Sequence, residues 1–174
     1  MGIACLYADY KDKTSQTLAH ILGSFLRQFL TTASEPIPKE VTHKLRNIQR
    51  RGGKVRINDY LTLLHIRLRQ LGHAFICIDA VDELEPKVRQ QLLSILKELG
   101  SKTRIFLTGR SYIESEVQKH FHIMEGYTVN ICASQQDVQE FIRQQILDDT
   151  NEYAMDKVLE KEIIDTISQK SQGM

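Results

Sequence analysis

Apolar positions along this 174-residue chain follow two rhythms, short β-prone runs and longer stretches at helical spacing. Ile3 to Ala8 reads as a first strand that ends at Asp9 and opens into the polar turn Tyr10-Lys11-Asp12-Lys13. Thr14 and Ser15 are both suited to capping, and Leu18, Ile21, Leu22, Phe25, Leu26 and Phe29 then predict a helix with one face on a sheet. Ser34 to Pro38 interrupts it, Val41, Leu45 and Ile48 predict a short second helix, and Arg50 to Lys54 is a loop. A third helix starts at Asn58 or Asp59 and carries Leu61, Leu64, Leu68 and Leu71, with Gly72 as a left-handed terminator.

The strand Ala74 to Ile78 follows at once. Pro86 sits where the first turn of a helix tolerates it, Val88, Leu92, Ile95, Leu96 and Leu99 give the apolar face, and Gly100 ends it. Thr103 to Thr108 is another strand, Ser111 to Lys119 a short helix and Tyr127 to Cys132 a fourth strand. Val138, Phe141, Ile142 and Ile146 belong to a helix capped by Ser134 or Asp137, and a last helix from about Ala154 to Ser168 turns Val158, Leu159, Ile163 and Ile167 inward. Strands alternating with helices of this length predict βαβ crossovers and a mainly parallel sheet.

The run Phe75-Ile76-Cys77-Ile78-Asp79-Ala80-Val81-Asp82-Glu83-Leu84 carries the chemistry. Its first four residues are apolar enough for a strand buried on both faces, which puts Asp79 at the carboxyl end, where open α/β sheets bind ligands. A magnesium ion keeps most of its waters and is held by one or two carboxylates together with phosphates, a task Asp79 suits. Asp82 or Glu83 can orient an attacking water. Equally, these acids can simply open the next helix, where its dipole favours negative charge. Thr108 and Arg110 close the following strand at the same edge, and an arginine there can sense a γ-phosphate or merely begin a loop. Nowhere does the chain contain the phosphate loop G-x-x-x-x-G-K-[ST].

Composition narrows the classes further. Hydrophobic residues make up 41% and charged residues 26%, ordinary for a globular protein, and a net charge of +1 gives no reason to expect nucleic acid or an anionic membrane as partner. Cys5, Cys77 and Cys132 fall in predicted strands without C-x-x-C spacing, so buried free thiols in a reducing compartment are expected. The N-terminus has no basic signal region, position six is Leu6 where myristoylation wants Ser or Thr, and no run is long enough to span a membrane. The expected location is cytoplasmic. The basic cluster Arg46, Arg50, Arg51, Lys54 and Arg56 lacks interleaved aromatics, His120 and His122 form no H-E-x-x-H, and Ser111 lacks the hydrolase context.

Leu6 to Asp12 with the Thr17-Leu18 helix, the acidic strand Phe75 to Leu84, the strand Arg104 to Arg110 and the close Ile164 to Met174 together resemble the NACHT module of signal-transduction NTPases (STAND), in particular its nephrocystin-like N-terminal type found ahead of repeat arrays. The resemblance implies a three-layer α/β fold of P-loop NTPase type, with the phosphate-loop strand missing from this chain. It assigns Asp79 to magnesium, Asp82 and Glu83 to water activation, and Arg110 with Thr108 to nucleotide sensing, with Mg2+ and ATP as cofactors. Residues 1–133 correspond to a partial nucleotide-binding core, and 134–174 to a helical segment leading toward a lid and winged helix.

In that family the phosphate loop would precede Met1 and the lid would follow Met174, so a piece of a longer switch or scaffold protein is expected. Its partners would be those segments and further copies of itself, and it would have little intrinsic hydrolysis. Gly109 stands where the family often has serine. The family's sheet order places the phosphate-loop strand beside Thr103–Thr108, so either a gap or direct pairing with Tyr127–Cys132 is expected. Two rival readings are a non-enzymatic interaction module with vestigial acids and a response-regulator-like switch; the latter needs a second acidic pair, for which only Asp9 is available.

Overall fold

A computed structural model describes residues 1–12, 14–31, 36–99, 103–121, 127–148 and 156–171. Three strands, β1 (Gly2–Tyr7), β2 (Ala74–Asp79) and β3 (Thr103–Leu107), form a parallel sheet in the order β1-β2-β3. Among the described residues seven α-helices accompany them: α1 (Leu18–Thr31), α2 (Lys39–Arg50), α3 (Ile57–Gln70), α4 (Pro86–Glu98), α5 (Glu114–His120), α6 (Gln135–Asp148) and α7 (Lys157–Lys170). Contacts divide the chain into two units, residues 1–124 and 125–174.

Right-handed crossovers between neighbouring strands taken in the order one, two, three put every connecting helix on the same side of the sheet. Burial agrees. Ala4, Leu6, Ile76, Ile78, Ile105 and Leu107 join one core with the apolar stripes of α1, α3 and α4. On the opposite face Ile3, Tyr7 and Phe106 are exposed and Cys5, Phe75 and Cys77 half-buried. Among the described residues of this unit, helices cover Phe75 to Ile78 on one face only. The described residues of this unit form two layers where three were expected, because a second helical layer requires the strand order to reverse and these three strands do not.

The helices follow their sequence signals closely. All six apolar positions expected of α1 are buried. Pro86 occupies the first turn of α4. α3 begins one residue before Asn58, with the Asp59 carboxylate accepting from Arg56 N at 3.2 Å. Gly72 is not a left-handed terminator: Leu71 ends α3 in extended backbone, and the left-handed glycines among the described residues are Gly52 and Gly53. A reversal after α3 would aim the chain away from β2, which starts only three residues later.

Gln28 of α1 closes the outer edge of β1, its amide donating to Cys5 O and accepting from Cys5 N, both at 2.8 Å. β3 is the opposite edge. Tyr127–Cys132 is not a strand; its backbone is irregular, and Tyr127, Val129 and Ile131 are largely exposed. β-propensity yields a strand only where a neighbour supplies the ladder.

In the second unit, Ser134 and Asp137 cap α6 reciprocally: Ser134 N and Oγ donate to Asp137 Oδ2 at 3.1 and 2.6 Å, and Asp137 N donates to Ser134 Oγ at 3.1 Å. α6 buries Ile142 but leaves Phe141 exposed. α7, capped by Asp156, buries Ile164 and Ser168, while Val158, Leu159 and Ile167, expected inward, are exposed. One helix packed on one neighbour buries a narrow stripe only. The expectations for Lys13, Ser34, Gly100, His122, Ala154 and the Gln172-Gly173-Met174 close lie outside the described residues.

Candidate functional site

At the carboxyl end of β2 the chain makes an abrupt turn. Asp79 is exposed, Ala80 adopts a left-handed φ of 52°, and Val81–Glu83 forms one 3-10 turn before Leu84 sinks back into the core. Ala80 is the one non-glycine with positive φ among the described residues, and a side chain there costs on the order of 1–2 kcal/mol. Thr108, just past β3, holds the turn. Its N–H donates to Ile78 O at 2.9 Å, its carbonyl accepts from Val81 N at 2.9 Å, and its hydroxyl accepts from Ala80 N at 2.9 Å while donating to Asp79 Oδ1.

β1 joins the same rim. Ala8 N donates to Asp79 O at 3.0 Å, and Tyr10 N donates to Glu83 Oε2 at 3.1 Å. The turn after β1 is self-bonded: the Asp9 carboxylate accepts from Lys11 N, and Asp12 accepts from Ser15 N and Oγ, which holds its carboxyl below the usual carboxylate range. Asp79, Glu83, Thr108 and Arg110 thus gather at one edge of the sheet, as their positions in the sequence imply.

Asp82 is different. Only 8% exposed, its carboxylate accepts from Arg110 N at 3.3 Å and Tyr112 OH at 3.3 Å and lies 3.7 Å from Arg110 Nε. Its oxygens face the protein and tie the turn to the segment after β3. Glu83 is half-buried and reaches the surface. Arg110 is 76% exposed and leaves its terminal nitrogens toward solvent. Gly109 also has a reason to lack a side chain: a Cβ would lie 2.8 Å from Ile113 Cδ1 and 3.3 Å from Asp82 Oδ1.

Two participants escape sequence reasoning. Arg89, nearly buried, donates from Nη1 to Asp82 O and Leu84 O at 3.2 Å and pairs with Glu116 Oε2 at 2.8 Å, bracing the acidic turn against α5. Its signal was available: a cation in the first turn of a helix opposes the dipole and so calls for another partner. Tyr112, on the 3-10 turn Ser111–Ile113, carries no such signal.

The oxygens of Asp79 and Thr108 suit a hard cation that keeps its waters and takes its remaining ligands from phosphate. Among the described residues no cluster of three or more His, Cys, Asp or Glu side chains forms a self-sufficient metal cage. A groove of about 530 Å³ lined by Lys39, His43, Lys44, Asn47 and Arg51, with Glu40 and Asp59 among them, shares no residue with this rim. No helix among the described residues is long and apolar enough to cross a membrane.

These features define a parallel α/β domain with an acidic turn at its carboxyl rim. Residues 1–110 match the family model described as nephrocystin 3, N-terminal, and the chain belongs to that family. Among curated proteins no relative matches. A solved structure of a Walker-type ATPase from Pyrococcus abyssi is similar at 12% identity and a TM-score of 0.41, covering 94% of this chain and 51% of that one. This chain spans about half the length of that structure.

Proposed function

We propose that this chain is the magnesium and sensor half of a nucleotide-dependent switch of NACHT type within a larger signalling or scaffold protein. The observation that carries this reading is the convergence of Asp79, Thr108, Glu83 and Arg110 on the carboxyl rim of a parallel sheet, around a strained turn held by Thr108. Strain of this kind clusters at functional sites.

In this reading Asp79 holds magnesium through water, with Thr108 fixing the carboxylate's orientation. Glu83 orients the attacking water, Arg110 contacts the γ-phosphate, and Asp82 is a positioning residue that sets the Arg110 backbone. Bound magnesium would supply charge neutralisation at the phosphates. The sequence contains no phosphate loop, so the chain by itself binds ATP weakly and hydrolyses it little, and further segments of the same polypeptide or further copies complete the site.

The test is the melting temperature of the chain with millimolar ATP and magnesium. A rise that Asp79→Ala abolishes supports the switch. No rise, in this chain and in a version extended with a phosphate-loop segment, leaves the interaction-module reading, in which the rim is only a scaffold.

A further inference from the structure

Cys5 and Cys77 are partners in the parallel register of β1 and β2, so their Cα atoms face each other directly across the ladder. Alternation sends both side chains to the same face, opposite the one that α1, α3 and α4 cover, and burial together with the neighbouring Cys5 pushes the Cys77 thiol up from its ordinary value. Both are half-buried and therefore reachable by a small reagent. Neighbouring strands lie about 4.7–4.9 Å apart, inside the roughly 4.4–6.8 Å range of Cα separations that a disulfide bridges. Ile3 and Phe75 flank the pair on one side, Tyr7 and Asp79 on the other, and Phe106 lies across from Cys77 on β3.

We infer that Cys5 and Cys77 form a cross-strand dithiol that is a redox modification site, closing to an intramolecular disulfide under a peroxide. One sulfur attacks a peroxide oxygen, the O–O bond breaks, and a sulfenic acid and one water result. The second sulfur then attacks the sulfenic sulfur; the S–S bond forms, the S–O bond breaks, and the hydroxyl leaves with the second thiol's proton as water. Two thiols lose two electrons, and one peroxide becomes two waters. The bridge staples β1 to β2 in mid-strand and closes a long loop of chain, which limits the unfolded state. This inference stands apart from the nucleotide reading and survives its failure.

The experiment uses the full chain with Cys132→Ser, which removes an exposed thiol in an irregular segment. The protein is treated with equimolar hydrogen peroxide, alkylated and digested with trypsin, once folded and once in urea. The expected product joins the peptide of residues 1–11 to that of residues 70–87. It forms in much higher yield from the folded protein, raises the melting temperature, and is reversed by dithiothreitol. Recovery of both cysteines as alkylated thiols or as separate sulfinic acids, or an equal yield of linked peptide in urea, overturns the inference.

Discussion

The hydroxyl of Thr108 reaches back across 29 residues of sequence, donating to the Asp79 carboxylate while accepting from the amide next to it, Ala80 N. One oxygen thereby orients a candidate metal ligand and satisfies the backbone of a left-handed turn. Thr108→Val keeps the shape and removes both bonds. It is expected to lower stability by about 1–3 kcal/mol in urea denaturation, whereas Thr108→Ser retains most of it.

Ala80 gives the complementary case. Its left-handed φ is one that glycine adopts freely. Ala80→Gly removes that strain and adds freedom to the unfolded chain, so the two effects nearly cancel. The change in unfolding free energy is expected to stay within about 1 kcal/mol, while Ala80→Val, β-branched at the same φ, destabilises clearly more.

The two acids after Ala80 are expected to part company. Asp82→Ala leaves Arg110 N and Tyr112 OH without their carboxylate and costs about 2 kcal/mol. Glu83→Gln preserves an oxygen for Tyr10 N and changes stability by no more than about 0.5 kcal/mol. Chemical denaturation of both variants measures the contrast, and equal effects would contradict the placement described.

Gly109 is crowded by the side chains of Ile113, Asp82 and Val81. Gly109→Ser pushes against Ile113 and Asp82 and is expected to cost about 1–3 kcal/mol. Crowding also explains why a serine frequent in the resembling family has no place here, and a variant as stable as the parent would show that the segment gives way.

Acid should loosen the cap of α6. Hydrogen bonds from the Ser134 hydroxyl and backbone hold the Asp137 carboxyl below its ordinary value. A depressed pKa in the folded state means stabilisation present above the unfolded carboxylate's range and lost as pH falls through the lower folded value. An NMR titration of the Asp137 carboxyl should show a midpoint below that of the unfolded chain, returning to it in Ser134→Ala.

The sequence exposes elements far better than faces. β1, β2, β3 and α1 stand within a residue or two of their apolar patterns, because each is long enough to show its period. Phe75-Ile76-Cys77-Ile78 could not reveal which side was covered, since an apolar run reads alike whether one face is buried or two. Tyr127–Cys132 has strand composition and yet forms no strand. At the site, Asp79, Thr108 and Arg110 were legible because strand ends define the rim. The inward turn of Asp82 and the bracing by Arg89 were not, because a charged residue discloses its partners only in three dimensions.

The sheet is finished differently at its two margins. Gln28 occupies the amide and carbonyl of Cys5, so another chain cannot lie along β1 without evicting a side chain. Among the described residues of the first unit β3 carries no corresponding side-chain bracket, so within that unit an extended peptide meets less resistance there. Growth of this sheet, whether by a companion segment or by errant self-association in concentrated solution, is therefore directional.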